Sequence, residues 1–244
     1  MFFAQIKAKV WRHIASCFVL YTPICFVVYM SYMMTSPSPK FHLLSESGLR
    51  VGHLNVYHLL NKVPDISSFL NIEHPCIHLL GLSETRLDYR MSDESIEIPQ
   101  YFTFRRDAVK QGETGLAIYI HSSIQSITTR RSDLESQSVE SLWVEISHSK
   151  SPSLLAGFIY RNPTATYAWY DEFLVMLDKV ADSKKNILLL GDFNIDLSKS
   201  RSAWESTYSL VGLHQLVNKP TRVTSTTDTL IDHISKSDCH LCMV

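Results

Sequence analysis

Six polar residues stand where apolar runs end. Asn55 closes LRVGHLN, Glu84 follows LLGLS, Tyr160 closes LLAGFIY, Asp192 and Asn194 follow ILLLG, and Asp232 follows Leu230-Ile231. Apolar strands that each deliver a carboxylate, an amide or a phenol to their ends build a polar site on a rigid scaffold. Their donor atoms are oxygens and amides, which suit a hard cation such as Mg2+ or Mn2+. Mg2+ takes one or two carboxylates and fills its shell with water and phosphate. Glu84 is the natural carboxylate ligand, and Asn55 can add a carbonyl oxygen or hold a ligating water. Such a metal neutralises charge on a phosphate and helps the leaving oxygen depart. Asp192 can orient or deprotonate the attacking water. The amide of Asn194 and the phenol of Tyr160 can donate to phosphoryl oxygens as charge develops. Asp232 can orient a histidine or bind metal. Taken singly, each has a structural reading: an exposed strand-end carboxylate, an Asx-turn at Asp192-Phe-Asn194, a core tyrosine with a wet hydroxyl. Five such groups at successive strand ends point to metal-assisted phosphodiester hydrolysis.

The elements that must position these groups alternate between strand and helix. Leu49–Asn55, Ile77–Ser83, Gly115–Ile120, Val139–Ile146, Leu154–Tyr160 and Ile187–Leu190 read as strands. The segment from Lys62 to Leu70 reads as a helix with Pro64 in its first turn. Tyr170, Phe173, Leu174, Leu177 and Val180 fall at helical spacing, which predicts an amphipathic helix over 167–182. No internal repeat is evident.

The N-terminal 40 residues have a different character. Lys7, Lys9, Arg12 and His13 precede Ile14–Met34, an uncharged run of 21 residues. At about 1.5 Å rise per residue such a run crosses a hydrocarbon core of roughly 30 Å, with the basic flank on the cytoplasmic side. Residues 14–34 are therefore a candidate transmembrane helix, and Ser36-Pro-Ser-Pro39 a linker. The protein would then be single-pass; otherwise it would be nuclear or cytoplasmic. The net charge of −1 supplies no global field toward a polyanion. Of the five cysteines, Cys239 and Cys242 form a C-x-x-C with no second ligand pair, so zinc is not expected, and no disulfide framework is visible. No feature argues for an oligomer.

Several motifs occur in one order: HLNV around Asn55, LSETRL around Glu84, RRD at 105–107 followed by GETGLAIYI, YRNP at Tyr160–Pro163, LLLGDFNIDL at Leu188–Leu197, GLHQLV followed by PTR at Pro220–Arg222, and LIDHI at Leu230–Ile234. Together they resemble the endonuclease/exonuclease/phosphatase superfamily, and within it the endonuclease domain of non-LTR (LINE-type) retrotransposons. The resemblance implies an α/β fold, a four-layer α/β/β/α sandwich of two mixed β-sheets flanked by helices. It implies a divalent metal on Glu84 with help from Asn55, phosphate-site roles for Tyr160, Asp192 and Asn194, and a histidine-orienting role for Asp232. Thr221 and Arg222 match a loop that lies near DNA.

Two departures accompany the match. The family's triple-glycine run is here Gly112-Glu-Thr-Gly115. The family's closing Ser-Asp-His motif, on a further strand, has no counterpart; Ser237-Asp238-Cys239-His240 lies too close to substitute, and His233 occupies a variable position. The domain is thus expected over 49–236, with the last strand or strands missing and 237–244 a tail. Three functions are consistent with these residues: a Mg2+-dependent DNA endonuclease that nicks and leaves a 3′-hydroxyl, impaired by the missing motif; a catalytically inactive fragment that keeps the fold; and a membrane-tethered phosphoesterase on lipid or small phosphates.

Overall fold

The computed structural model describes residues 17–19, 25–30, 49–73, 77–124, 127–148, 151–183 and 185–237. Its strands and helices are, in chain order, β1 (Cys17–Val19), β2 (Cys25–Met30), β3 (Leu49–Asn55), α1 (Val63–Ser68), β4 (Leu79–Ser83), β5 (Tyr101–Arg106), β6 (Leu116–His121), β7 (Ile127–Arg130), β8 (Glu140–His148), β9 (Ser151–Tyr160), α2 (Tyr167–Asp182), β10 (Asn186–Asp192), α3 (Leu197–Ser209), β11 (Leu213–Gln215), β12 (Arg222–Val223), β13 (Asp228–Thr229) and β14 (Asp232–Ser237). One sheet runs β1-β2-β3-β4-β6-β5 and a second runs β11-β14-β10-β9-β8-β7; β12 and β13 form a separate hairpin. Both large sheets are mixed. In the first, β3 and β4 are parallel and β6 returns antiparallel. In the second, β9 and β10 are parallel while β14 and β8 run against them.

Side-chain alternation explains why the sheets stack. Along a strand, successive residues face opposite sides. On β4 and β6, Leu79, Leu116, Ile118 and Ile120 join the core shared with Trp143, Phe158, Leu190 and the helices α2 and α3. Their neighbours Leu80, Leu82, Ala117 and Tyr119 face the other way, onto Ile66 and Leu70 beside α1. Apolar residues on both faces of each central strand demand cover on both sides. The result is the four-layer sandwich of two mixed sheets between helices. Helix α2 spans the expected 167–182 and buries Trp169, Phe173, Met176, Leu177 and Val180. Helix α3 has too weak an apolar stripe to stand out in sequence. It starts where the Asp196 side chain accepts the Ser198 N–H, a side-chain cap of the first turn.

The expected membrane helix over 14–34 is corrected where the structure describes it. Cys17–Val19 and Cys25–Met30 are strands of the first sheet. The rest of that span lies outside the described residues. Among the described residues no helix is long and apolar enough to cross a membrane. An uninterrupted apolar run has no period to separate helix from buried strand; length favoured a helix, whereas the valines and aromatics of CFVVYM fit a pleated sheet. The 62–70 helix is also shorter than expected, Val63–Ser68, and continues as a π-turn through Phe69–Glu73. Cys239, Cys242 and His240 lie outside the described residues.

Candidate active site

The parallel pairs β3/β4 and β9/β10 end at the same edge of the sandwich, and this brings the strand-end residues together. Register places Asn55 opposite Ser83, the residue before Glu84. It places Asp192 opposite both Tyr160 and Asp232. Asn55 then crosses between the two sheets: its Nδ2 donates to Glu84 Oε1 at 2.8 Å and to Asp192 Oδ2 at 3.0 Å. The Tyr160 hydroxyl donates to the same Glu84 Oε1 at 3.3 Å. The side chains of four of the six residues singled out by sequence are therefore in direct contact, although Asn55 and Asp192 are 137 residues apart.

Each environment differs. The Glu84 side chain is 15% exposed, with Arg86 3.5 Å from its Oε2. Asp192 is buried, and burial, then the facing Asp232 carboxylate, pushes its pKa up. Burial also raises Tyr160, with Glu84 and Asp192 adding to the effect. Its phenol is thus held protonated and able to donate. Asp232 is buried too, and His53 Nδ1 lies 3.2 Å from its Oδ1. Thr221 is turned inward: its hydroxyl accepts the N–H of Ile231 and of Asp232, both at 3.0 Å. Its side chain fixes the Asp232 backbone, while Arg222 stands exposed on β12. The Asn194 amide is likewise committed, donating to the Arg161 carbonyl at 2.9 Å. Its N–H donates to Asp192 Oδ1 at 3.0 Å, completing the Asx-turn that starts the loop.

His233 is excluded from the chemistry by its surroundings. It is fully buried, stacked on Phe193 with centroids 4.5 Å apart. Nε2 meets the Ile195 carbonyl at 3.0 Å and Nδ1 meets the Tyr208 hydroxyl at 2.8 Å. The carbonyl can only accept, so the ring carries its proton on Nε2 and accepts from Tyr208 at Nδ1. Burial pulls its pKa down to about 4, so it stays neutral.

Sequence reasoning missed His53. It shares the inner face of β3 with Asn55, two residues on, so strand alternation was the available signal. Neither ring nitrogen completes a well-aligned hydrogen bond, despite the 3.2 Å approach to Asp232. Sequence reasoning also missed Glu140 and Arg106. Arg106 donates through Nη1 to the carbonyls of Ser136, Val139 and Ser141, and so ties the first sheet to the start of the second.

Among the described residues no three histidine, cysteine or acidic side chains form a cage for a metal ion. A hard divalent cation needs fewer protein ligands, since one carboxylate with water and phosphate can suffice. Glu84 could hold such a cation: its side chain is 15% exposed, whereas Asp192 and Asp232 are buried.

No protein-family model and no curated protein matches the chain. Solved structures do. The endonuclease domain of TRAS1, a telomere-specific non-LTR retrotransposon, superposes with a TM-score of 0.57 at 14% identity, over 77% of this chain and 83% of that one. The catalytic domain of Xenopus laevis APE2 gives 0.56 at 14% identity, over 75% and 81%. An endonuclease/exonuclease/phosphatase family protein from Leptotrichia buccalis gives 0.53 at 12%, over 77% and 87%. The chain has the fold of the endonuclease/exonuclease/phosphatase proteins.

Proposed function

We propose that this chain is a metal-dependent phosphodiesterase of the retrotransposon endonuclease type. Its substrate is DNA, and it nicks one strand to leave a 3′-hydroxyl. The observation that carries the reading is the contact of Glu84, Asn55, Asp192 and Tyr160 at one end of the sandwich. Glu84, with Asn55 beside it, would hold Mg2+ or Mn2+. The cation would supply charge neutralisation at the phosphate.

The remaining work falls to the chain's own groups. Hydrolysis joins a water oxygen to phosphorus and breaks the P–O3′ bond, giving a 5′-phosphate and a 3′-hydroxyl. Asp192 orients the attacking water, held in place by Asn55 and by the Asn194 N–H. The protonated Tyr160 phenol turns from Glu84 to a phosphoryl oxygen, where a preorganised donor acts most strongly. Asp232, fixed by Thr221 and facing His53, adds negative charge behind Asp192. Arg222, exposed on β12, is the DNA-facing cation.

A second reading, a folded protein without turnover, is favoured by one arrangement. Both amide hydrogens of Asn55 and one of Asn194 already go to neighbouring protein oxygens. Nicking of supercoiled plasmid with Mg2+ or Mn2+ separates the two. Metal-dependent nicking that disappears in Glu84→Ala supports the endonuclease. Equal relaxation by parent and Glu84→Ala, with both folded, leaves only the second reading.

A further inference from the structure

A buried carboxylate outside the strand-end cluster holds the backbone that carries Glu84. Glu140 opens β8, directly opposite Tyr160 in the β8–β9 register. It is 8% exposed, and burial pushes its pKa up to about 7. Its oxygens accept the Thr114 N–H at 3.0 and 3.1 Å, the Gly115 N–H, and the Thr114 hydroxyl at 3.4 Å. Those two residues form a short strap before β6, in the opposite sheet.

The strap grips the chain just after Glu84. The Gly115 carbonyl accepts the Thr85 N–H at 3.2 Å, and the Thr114 carbonyl accepts the Arg86 N–H at 2.7 Å. Contact is close: a Cβ on Gly115, itself at φ +84°, would fall 2.4 Å from Thr85 Oγ1. Glu84 and Arg86 both adopt left-handed backbone, at φ +55° and +52°. For residues with a Cβ this conformation is strained, and it persists only where the surroundings over-determine it. On one side the His58 and Leu59 N–H groups hold the Glu84 and Thr85 carbonyls; on the other the strap holds the Thr85 and Arg86 N–H groups, and Glu140 supplies the strap's anchor.

We propose that Glu140 is a positioning residue for Glu84, acting through Thr114 and Gly115 without touching substrate. The proposal rests on the reading of Glu84 as the metal ligand. Oε1 accepts both adjacent N–H groups, and Oε2 shares the Thr114 N–H. A glutamine keeps one oxygen for these donors but loses the charge and turns an NH2 toward the Thr114 N–H, which cannot accept it. Residues that orient a ligand typically change metal affinity by 10- to 100-fold when replaced.

The test uses the full 244-residue chain. Mn2+ binding is followed by electron paramagnetic resonance well below the melting temperature. Amide hydrogen exchange at Thr85 and Arg86 is measured without metal. The proteins are the parent, Glu84→Ala, Glu140→Gln and Glu145→Gln. The last removes a carboxylate on the same strand that pairs instead with Arg131 and Lys185. Glu84→Ala should lose the site. Glu140→Gln should bind Mn2+ about tenfold or more weakly and exchange the Thr85 and Arg86 amides about tenfold faster; Glu145→Gln should match the parent in both. Parent-like Mn2+ affinity in Glu140→Gln overturns this proposal and leaves the metal reading intact. A parent that binds no Mn2+ overturns the metal reading itself, and the exchange rates then still decide whether Glu140 anchors the backbone. Should Glu140→Gln fail to fold, Glu140→Asp, which keeps the charge but shortens the reach, serves instead. Unchanged exchange and unchanged affinity there also overturn the proposal.

Discussion

Gly191→Ala is the substitution that most directly tests how the site is built. Gly191 lies on β10 at φ +153°, one residue before Asp192. A Cβ there would sit 1.8 Å from the Ile159 carbonyl oxygen and 2.7 and 2.8 Å from its carbon and nitrogen. All three are backbone atoms of β9, so no rotamer change relieves the clash. A carbon and an oxygen approach to about 3.3 Å at closest, so β10 must move off β9 by more than an ångström. Overpacking of this kind costs about 1–3 kcal/mol. Two ladder hydrogen bonds lost or stretched add about 1 kcal/mol each. The expected loss is about 3–5 kcal/mol, a large part of the roughly 5–15 kcal/mol a domain holds. Urea denaturation should show a midpoint lower by about 1–2 M at an unchanged slope. Gly212→Ala is the control: it has φ +66° but nothing within 4 Å of the added Cβ, so it should cost only the left-handed backbone penalty of about 1–2 kcal/mol. The displaced strand also carries Asp192, and Tyr160 sits opposite, so metal binding should suffer in any Gly191→Ala protein that folds. Equal losses in the two variants, or a loss below about 1 kcal/mol at Gly191, would refute the close-approach argument.

Asp192→Asn should lose hydrolysis and change the pH dependence of stability. Because the folded-state pKa of Asp192 is raised above its unfolded value, the native state holds more protons between the two, and stability falls as pH rises through that window. Asparagine does not titrate, so its stability relative to the parent should improve between pH 5 and pH 8. The improvement should be at least about 1 kcal/mol, the worth of a single pKa unit; a difference independent of pH in paired urea titrations would contradict it. Arg106→Met should destabilise by about 2–4 kcal/mol, because three carbonyls lose their donor at once. That loss should persist in 1 M salt, since these bonds are shielded from ions; full rescue or disappearance of the effect in salt would mark the interaction as a surface ion pair.

The sequence by itself determined the strands and what they deliver. Alternation and apolar runs located β3, β4, β6, β8, β9 and β10, and polar residues at or just past their ends marked Asn55, Glu84, Tyr160, Asp192 and Asn194; Asp232, expected to end a strand, instead opens β14. These are local signals, written in period and position along the chain. Three matters needed the tertiary structure. The first is the apolar run near the N-terminus, where Cys17–Val19 and Cys25–Met30 are strands and not parts of the expected helix, because an apolar run without period fits either geometry. The second is which partner each polar group holds. Thr221 turns inward to hold Asp232, Asn194 binds a carbonyl, and His233 is a neutral ring in an aromatic stack; hydrogen-bond partners come from segments far away in sequence. The third is the set of residues without strand-end marks. His53 is read only when β3 is seen to face β14. Glu140 is read only when a carboxylate in one sheet is found holding two amides that precede a strand of the other. Residue type and spacing show which groups a strand carries; which of them meet depends on how two sheets pack, and no single strand encodes that.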